Sequence, residues 1–90
     1  MLFMVIERFK NREAVTIYKR YREQGRMMPE GLKYVDSWVE ANFDRCFQLM
    51  ECDDLCLFLQ WVLQWQDLAE FESVPVVGSK DTLEAITARL

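Results

Sequence analysis

Two neighbouring stretches with strand-like composition constrain this chain more than any other feature. Leu32–Glu40 and Phe43–Met50 each mix β-favouring aromatic or branched residues with polar ones, which is typical of strands that have one covered face. Asn42 lies between them and tolerates the left-handed backbone that a tight chain reversal needs. We therefore predict a β-hairpin that turns at Ala41-Asn42.

The register of this hairpin stays open, because a one-residue slip turns a whole strand over. A loop of two or four residues places Tyr34, Asp36 and Trp38 on one face with Arg45, Phe47 and Leu49. A three-residue loop places the same three residues with Cys46, Gln48 and Met50. Either register predicts one face that carries Tyr34, Asp36 and Trp38 together.

Strand and helix patterns alternate on both sides of the hairpin. They are a strand at Leu2–Glu7, a helix from an N-cap at Asn11 to about Gln24, a helix from Leu55 to about Gln66, a strand at Glu70–Val77 and a helix starting at Gly78-Ser79. The apolar first strand is expected at the sheet centre, and Pro75 puts the last strand at an edge or a bulge. This β-α-β-β-α-β order with a terminal helix predicts a ferredoxin-like α+β sandwich with two helices on one sheet face. We expect one domain, residues 1–90, with its core at 1–77 and a C-terminal helix at 79–90.

The second predicted helix is apolar around most of its circumference. Trp61 and Trp65 are expected to pack in the core or at a dimer interface, since they lie one turn apart. Leu59 and Leu63 widen the apolar arc far beyond the stripe that a helix needs to cover a sheet. A subunit interface is the simplest way to cover such a surface, so we expect a homodimer.

Composition limits the classes of function. The net charge is -4, which argues against nucleic acid as a partner. The chain has no histidine, which removes the commonest metal ligand, general base and haem ligand. No apolar run is long enough to span a membrane, and three cysteines without a CxxC pair suit reduced thiols in the cytoplasm. We therefore expect no cofactor, no metal site, no membrane partner and a cytoplasmic location.

The blocks MLFMVIERF, GRMMPEGL, SWVE, RCFQLME, LQWVLQWQDLAEFE and VPVV resemble a family of short bacterial proteins catalogued as a domain of unknown function. That family is placed with the dimeric α+β barrels. The resemblance covers residues 1 to about 77 and implies that two sheets pair across a two-fold axis around a cavity. It is similar in general plan to cofactor-free oxygenases, muconolactone isomerase-like enzymes and haem-degrading enzymes, and to members without known activity.

If such a cavity exists, we expect Tyr34, Asp36, Trp38 and Arg45 to line it. A carboxylate beside aromatic rings tends to have a raised pKa, which makes Asp36 the candidate acid or base. The plainer alternative is that Asp36 is solvated or paired with Arg45 while Trp38 packs at the interface. A site for a metal ion at Glu7, Glu51 and Glu72, or a nucleophilic Cys46, has little support, and solvated strand ends and a buried thiol are favoured.

Two functions follow from this. The first is a non-catalytic homodimer that binds a small apolar or aromatic molecule between the paired sheets. The second is a cofactor-free oxygenase or isomerase that acts on a small aromatic or carbonyl compound with Asp36 as acid and base. The sequence leaves open whether the protein is an enzyme.

Overall fold

The computed structural model describes residues 1 to 90 and shows an α+β fold with one four-stranded antiparallel sheet and three helices. The elements are β1 (Leu2–Phe9), α1 (Ala14–Gln24), β2 (Lys33–Val39), β3 (Arg45–Glu51), α2 (Leu55–Trp65), β4 (Ala69–Pro75) and α3 (Ser79–Ile86), with 3-10 turns at Lys10–Arg12 and Thr87–Arg89. The strand order is β2-β3-β1-β4, which is compatible with a ferredoxin-like arrangement. None of the three helices has the length and apolar character that crossing a membrane requires.

The strands occupy the sheet positions that the sequence predicts. β1 pairs with β3 on one side and with β4 on the other, so it is central. β4 is an edge strand and ends at Pro75, where a missing N–H interrupts no ladder between two strands. The predictions for these two strands are therefore confirmed.

The hairpin has the register of the four-residue loop, with one irregularity. Asp36 pairs with Leu49 and Trp38 pairs with Phe47, so these four side chains lie on one face. A β-bulge between Tyr34 and Asp36 turns Tyr34 over, and it pairs instead with Met50. The prediction that Tyr34 shares a face with Asp36 and Trp38 is wrong, because the extra residue in the bulge reverses the side-chain alternation.

The core lies between the sheet and α2. It contains eight buried residues: Phe3, Val5, Leu32, Met50, Cys52, Phe58, Trp61 and Trp65. Phe58 meets Phe3 edge to face at a centroid distance of 5.4 Å, and Trp61 meets Phe71 in the same way at 5.4 Å. These T-shaped contacts are the preferred arrangement for aromatic pairs, so α2 is fixed on the sheet mainly by its aromatic side chains.

The start of α1 differs from the prediction. The helix begins at Ala14 after Glu13, whereas Asn11 lies in the preceding 3-10 turn with a positive φ of 54°. Asn11 is therefore not the N-cap, because its tolerance of left-handed backbone is used to turn the chain out of β1. The predicted end of the helix is confirmed, since Gly25 follows Gln24 with a φ of 70°.

The outer side of α2 and the whole of α3 are not packed against the rest of the chain. Trp61 and Trp65 are buried against the sheet of their own chain, whereas Leu59 and Leu63 are 60% and 67% exposed. No residue of α3 is buried. The two tryptophans thus belong to the core, and the outer side of α2 is the part left open to solvent.

Candidate functional site

The two faces of the sheet carry different candidate sites. One face is covered by α1 and α2, and we call the other the open face. The open face is defined by alternation along the paired strands, and its residues are Lys33, Asp36, Trp38, Arg45, Phe47, Leu49, Glu51, Leu2, Met4, Ile6, Arg8, Glu70, Glu72 and Val74. None of these side chains is buried, although the four at its centre (Met4, Ile6, Phe47 and Leu49) are apolar.

The open face brings together three of the four predicted pocket residues. Trp38 is 52% exposed and lies beside Phe47, so the two rings form an aromatic surface. Arg45 is bonded to Glu40 and lies 5.1 Å from the ring centroid of Phe47. Asp36 does not pair with Arg45, because Asp36 is opposite Leu49 and accepts a hydrogen bond of 2.8 Å from the backbone N–H of Ser37.

Tyr34, the fourth predicted pocket residue, lies on the covered side of the sheet. Its hydroxyl is 2.6 Å from the hydroxyl of Ser37. The Arg26 guanidinium carbon lies 3.7 Å from the centroid of its ring, which is close enough for a cation–π contact. Tyr34 is therefore separated from Asp36 and Trp38 by the thickness of the sheet.

A cavity of about 270 Å³ lies between α1 and the sheet, and we call it the α1 cavity. Its lining residues are Glu7, Phe9, Ile17, Tyr18, Tyr21, Arg26, Ser37, Cys46, Gln48, Trp61 and Trp65. It exists because α1 does not close on the sheet along its whole length: Ala14 is buried, but Tyr18 and Tyr21 are 42% and 40% exposed.

The floor of the α1 cavity is polar, which is unusual for a core position. Glu7 and Gln48 are 8% and 7% exposed, and the Gln48 amide donates a hydrogen bond of 2.8 Å to the Glu7 carboxylate. The Oε1 atom of Gln48 is buried without a hydrogen-bond partner. Burial raises the pKa of Glu7 above its ordinary value, although the hydrogen bond from Gln48 opposes that shift.

Cys46 lies directly across from Glu7 in the β1–β3 ladder. Burial and the neighbouring Glu7 carboxylate raise the pKa of Cys46 to about 12. The side chain is therefore a thiol at neutral pH, and only a thiolate is strongly nucleophilic. The floor of the cavity can accept hydrogen bonds, but it holds no activated nucleophile.

The mouth of the α1 cavity is fixed by the backbone of Arg26. Its carbonyl accepts hydrogen bonds from the indole N–H groups of Trp61 and Trp65, each at 2.9 Å. Its guanidinium donates a hydrogen bond of 3.2 Å to the Tyr21 hydroxyl and stacks on Tyr34. The loop before β2 is thereby attached to α2, and Arg26 is held at the rim.

Glu7 and Gln48 are cavity residues that the sequence pattern does not predict. The pattern places Glu7 at the end of a strand, whereas β1 continues to Phe9 and buries Glu7. The signal that could have found both residues is alternation, because Phe3, Val5, Glu7 and Phe9 share one phase, as do Cys46, Gln48 and Met50. Glu51 and Glu72 lie on the open face, so the three carboxylates do not meet, and the chain has no group of three or more potential ligands for a metal ion.

Comparison with known proteins gives a family without an assigned activity. The family model described as "Domain of unknown function (DUF3303)" matches residues 1–90. No curated protein and no solved structure matches the chain.

Proposed function

The chain belongs to the DUF3303 family, a family of unknown function, and on that premise we propose that it forms a homodimer that binds a small apolar or aromatic molecule. In this proposal two open faces pack against each other around a two-fold axis, and the ligand lies between them. The observation that carries the proposal is the apolar centre of the open face, whose side chains stay partly exposed in the single chain.

The distribution of charge supports a second copy as the occupant of this face. In a two-fold interface the same patch meets itself, so the patch must be self-complementary. The apolar centre of the open face is bordered by three cations, Lys33, Arg8 and Arg45, and by anions, among them Asp36, Glu70 and Glu72. A face with both signs around an apolar centre can pair with its own copy without an excess of either charge.

The side chains on the face indicate the class of ligand. Trp38 and Phe47 are adjacent aromatic residues, and Met4 and Leu49 supply flexible or branched apolar contacts beside them. Packed sheets are about 10 Å apart, a spacing that side chains from both faces normally fill. A flat apolar or aromatic molecule fits wherever those side chains leave a gap between the two Trp38-Phe47 surfaces.

The enzymatic alternative, with Asp36 as acid and base in a cofactor-free oxygenase or isomerase, stays a prediction. Asp36 is exposed on an edge strand and its carboxylate is already bonded to the Ser37 N–H, so no contact of this residue favours catalysis. The cytoplasmic location also stays a proposal, and it is supported by three cysteines that are all unpaired, as is usual in reducing compartments.

A titration with naphthol, followed by amide NMR, tests the proposed ligand site. The three indole N–H signals separate the possible locations, because Trp38 lies on the open face while Trp61 and Trp65 line the α1 cavity. We expect naphthol to shift the Trp38 signal first, and we expect Asp36→Asn to leave both naphthol binding and the dimer mass unchanged. Shifts confined to Trp61 and Trp65, or no shifts at all, would refute binding between the sheets.

A further inference from the structure

The geometry points to a second ligand site in the α1 cavity, which binds a small molecule that carries a primary ammonium group on a short apolar or aromatic body. This site is on the opposite side of the sheet from the open face, because Gln48 alternates with Phe47 and Leu49 along β3. It does not depend on dimer formation or on the ligand proposed above.

Two hydrogen-bond acceptors at the floor of the cavity determine what the ligand must offer. The Gln48 amide donates its N–H to Glu7, which directs its other end, Oε1, away from that carboxylate. Oε1 is buried with no donor, an arrangement that folded proteins normally avoid. An ammonium group has three N–H donors, so one group can bond to Gln48 Oε1 and to the Glu7 carboxylate together.

The charge of Glu7 favours a cationic donor over a neutral one. No lysine or arginine lies within ion-pairing distance of the Glu7 carboxylate. Arg26 also lines the cavity and its charge acts on Glu7 through space, but its guanidinium contacts Tyr21 and Tyr34 at the rim and makes no ion pair with the carboxylate. A buried carboxylate without a cation is unfavourable, and an ammonium ligand supplies the missing charge at a charge-assisted hydrogen bond.

The walls and the volume define the rest of the ligand. Aromatic side chains dominate the lining: Phe9, Tyr18, Tyr21, Trp61 and Trp65. Such rings attract an organic cation through their faces and an apolar body through burial. The volume of about 270 Å³ equals the liquid volume of roughly nine water molecules, so the ligand is a single ring or a short chain rather than a nucleotide or a flavin.

Benzylammonium is a suitable probe, and benzyl alcohol is its neutral counterpart of similar shape. We would titrate each into the isotope-labelled protein at one fixed pH and follow amide and indole N–H signals. Benzylammonium is expected to shift the signals of Gln48, Trp61 and Trp65 and to leave the Trp38 signal in place. Benzyl alcohol is expected to bind about ten-fold more weakly or worse, since it lacks the charge.

Two variants test the acceptors, and a third is the matched control. Glu7→Gln removes the charge and Gln48→Met removes Oε1, and each should weaken benzylammonium binding by about ten-fold or more. Glu72→Gln makes the same chemical change on the open face and should leave the affinity unchanged. Gln48→Met also keeps the test valid if Glu7→Gln does not fold.

Three results would overturn the proposal. One is equal affinity for benzylammonium and benzyl alcohol, and another is unchanged benzylammonium affinity in Glu7→Gln and Gln48→Met. The third is a response of Trp38 without a response of Trp61 and Trp65, which would place the probe on the open face instead.

Discussion

Two indole N–H groups share the Arg26 carbonyl as acceptor. We therefore predict that substitutions of the two tryptophans have non-additive effects on the free energy of unfolding. Trp61 and Trp65 each donate to this oxygen at 2.9 Å, so either tryptophan alone can keep it satisfied. We consider Trp61→Phe and Trp65→Phe, separately and together. Phenylalanine keeps one aromatic ring attached to Cβ, so it removes the N–H together with the distal part of the indole.

The expected size of each effect follows from these contacts. A single substitution loses one hydrogen bond, worth about 1 kcal/mol, and leaves a void that costs about 1 kcal/mol. Each single variant should therefore lose about 2 kcal/mol of unfolding free energy. The double variant also leaves the Arg26 carbonyl without a donor, which adds roughly 1–3 kcal/mol beyond the sum of the single effects.

Urea unfolding followed by circular dichroism measures all four proteins at one protein concentration, since dimer formation makes stability depend on concentration. A constant amount of the osmolyte TMAO keeps the double variant folded before urea is added. Leu59→Ala and Leu63→Ala, separately and together, are the control pair, because these residues are also one turn apart on α2 but are 60% and 67% exposed and share no acceptor. Additive effects within about 0.5 kcal/mol would refute the shared-acceptor reasoning and would mean that water replaces the lost donors.

Three further predictions concern the remaining features of the molecule. Burial raises the pKa of Glu7 in the folded state. The protonated carboxyl group therefore stabilises the folded state fully below the unfolded-state pKa of about 4.3. This stabilisation is lost as the pH rises through the higher folded-state pKa. The stability of Glu7→Gln relative to the natural protein should thus increase from acidic to neutral pH in urea titrations, and a constant difference would contradict the shift. Phe47→Asp places one carboxylate from each chain in the proposed interface, so it should weaken dimerisation by at least about a hundred-fold in sedimentation equilibrium. Val15→Asp, on the exposed side of α1, should leave the dimer affinity unchanged. Equal effects of the two substitutions would argue against the open face as the dimer interface. Deletion of Ser79–Leu90 removes no buried residue and should change the unfolding free energy by less than about 1 kcal/mol, so a larger loss in a thermal scan would show that α3 is part of the core.

The backbone preferences of single residues and short apolar runs were sufficient to predict the order of the strands and helices. The apolar run of β1, Pro75 in β4 and Gly25 after α1 each have a direct backbone reason for their positions. The structure confirms all three. Asn11 shows the limit of such rules, because a residue that caps helices also tolerates left-handed backbone, and the chain uses the second property here.

The candidate sites depend on longer-range geometry, which the sequence pattern does not contain. The bulge at Val35 moves Tyr34 to the covered side of the sheet, and a valine gives no local signal for a bulge. The α1 cavity exists because Tyr18 and Tyr21 do not reach a fully buried position, which is a property of how α1 packs on the sheet. Gln48 and Glu7 become partners only when β1 and β3 pair.

The central claim is that two copies of the chain pair through their open faces, and solution mass tests it most directly. Size-exclusion chromatography with light scattering at low micromolar concentration is the measurement. The proposal predicts a mass near twice that of the 10.8 kDa chain. A mass equal to one chain at that concentration would contradict it, and the ligand site between paired sheets would have to be withdrawn.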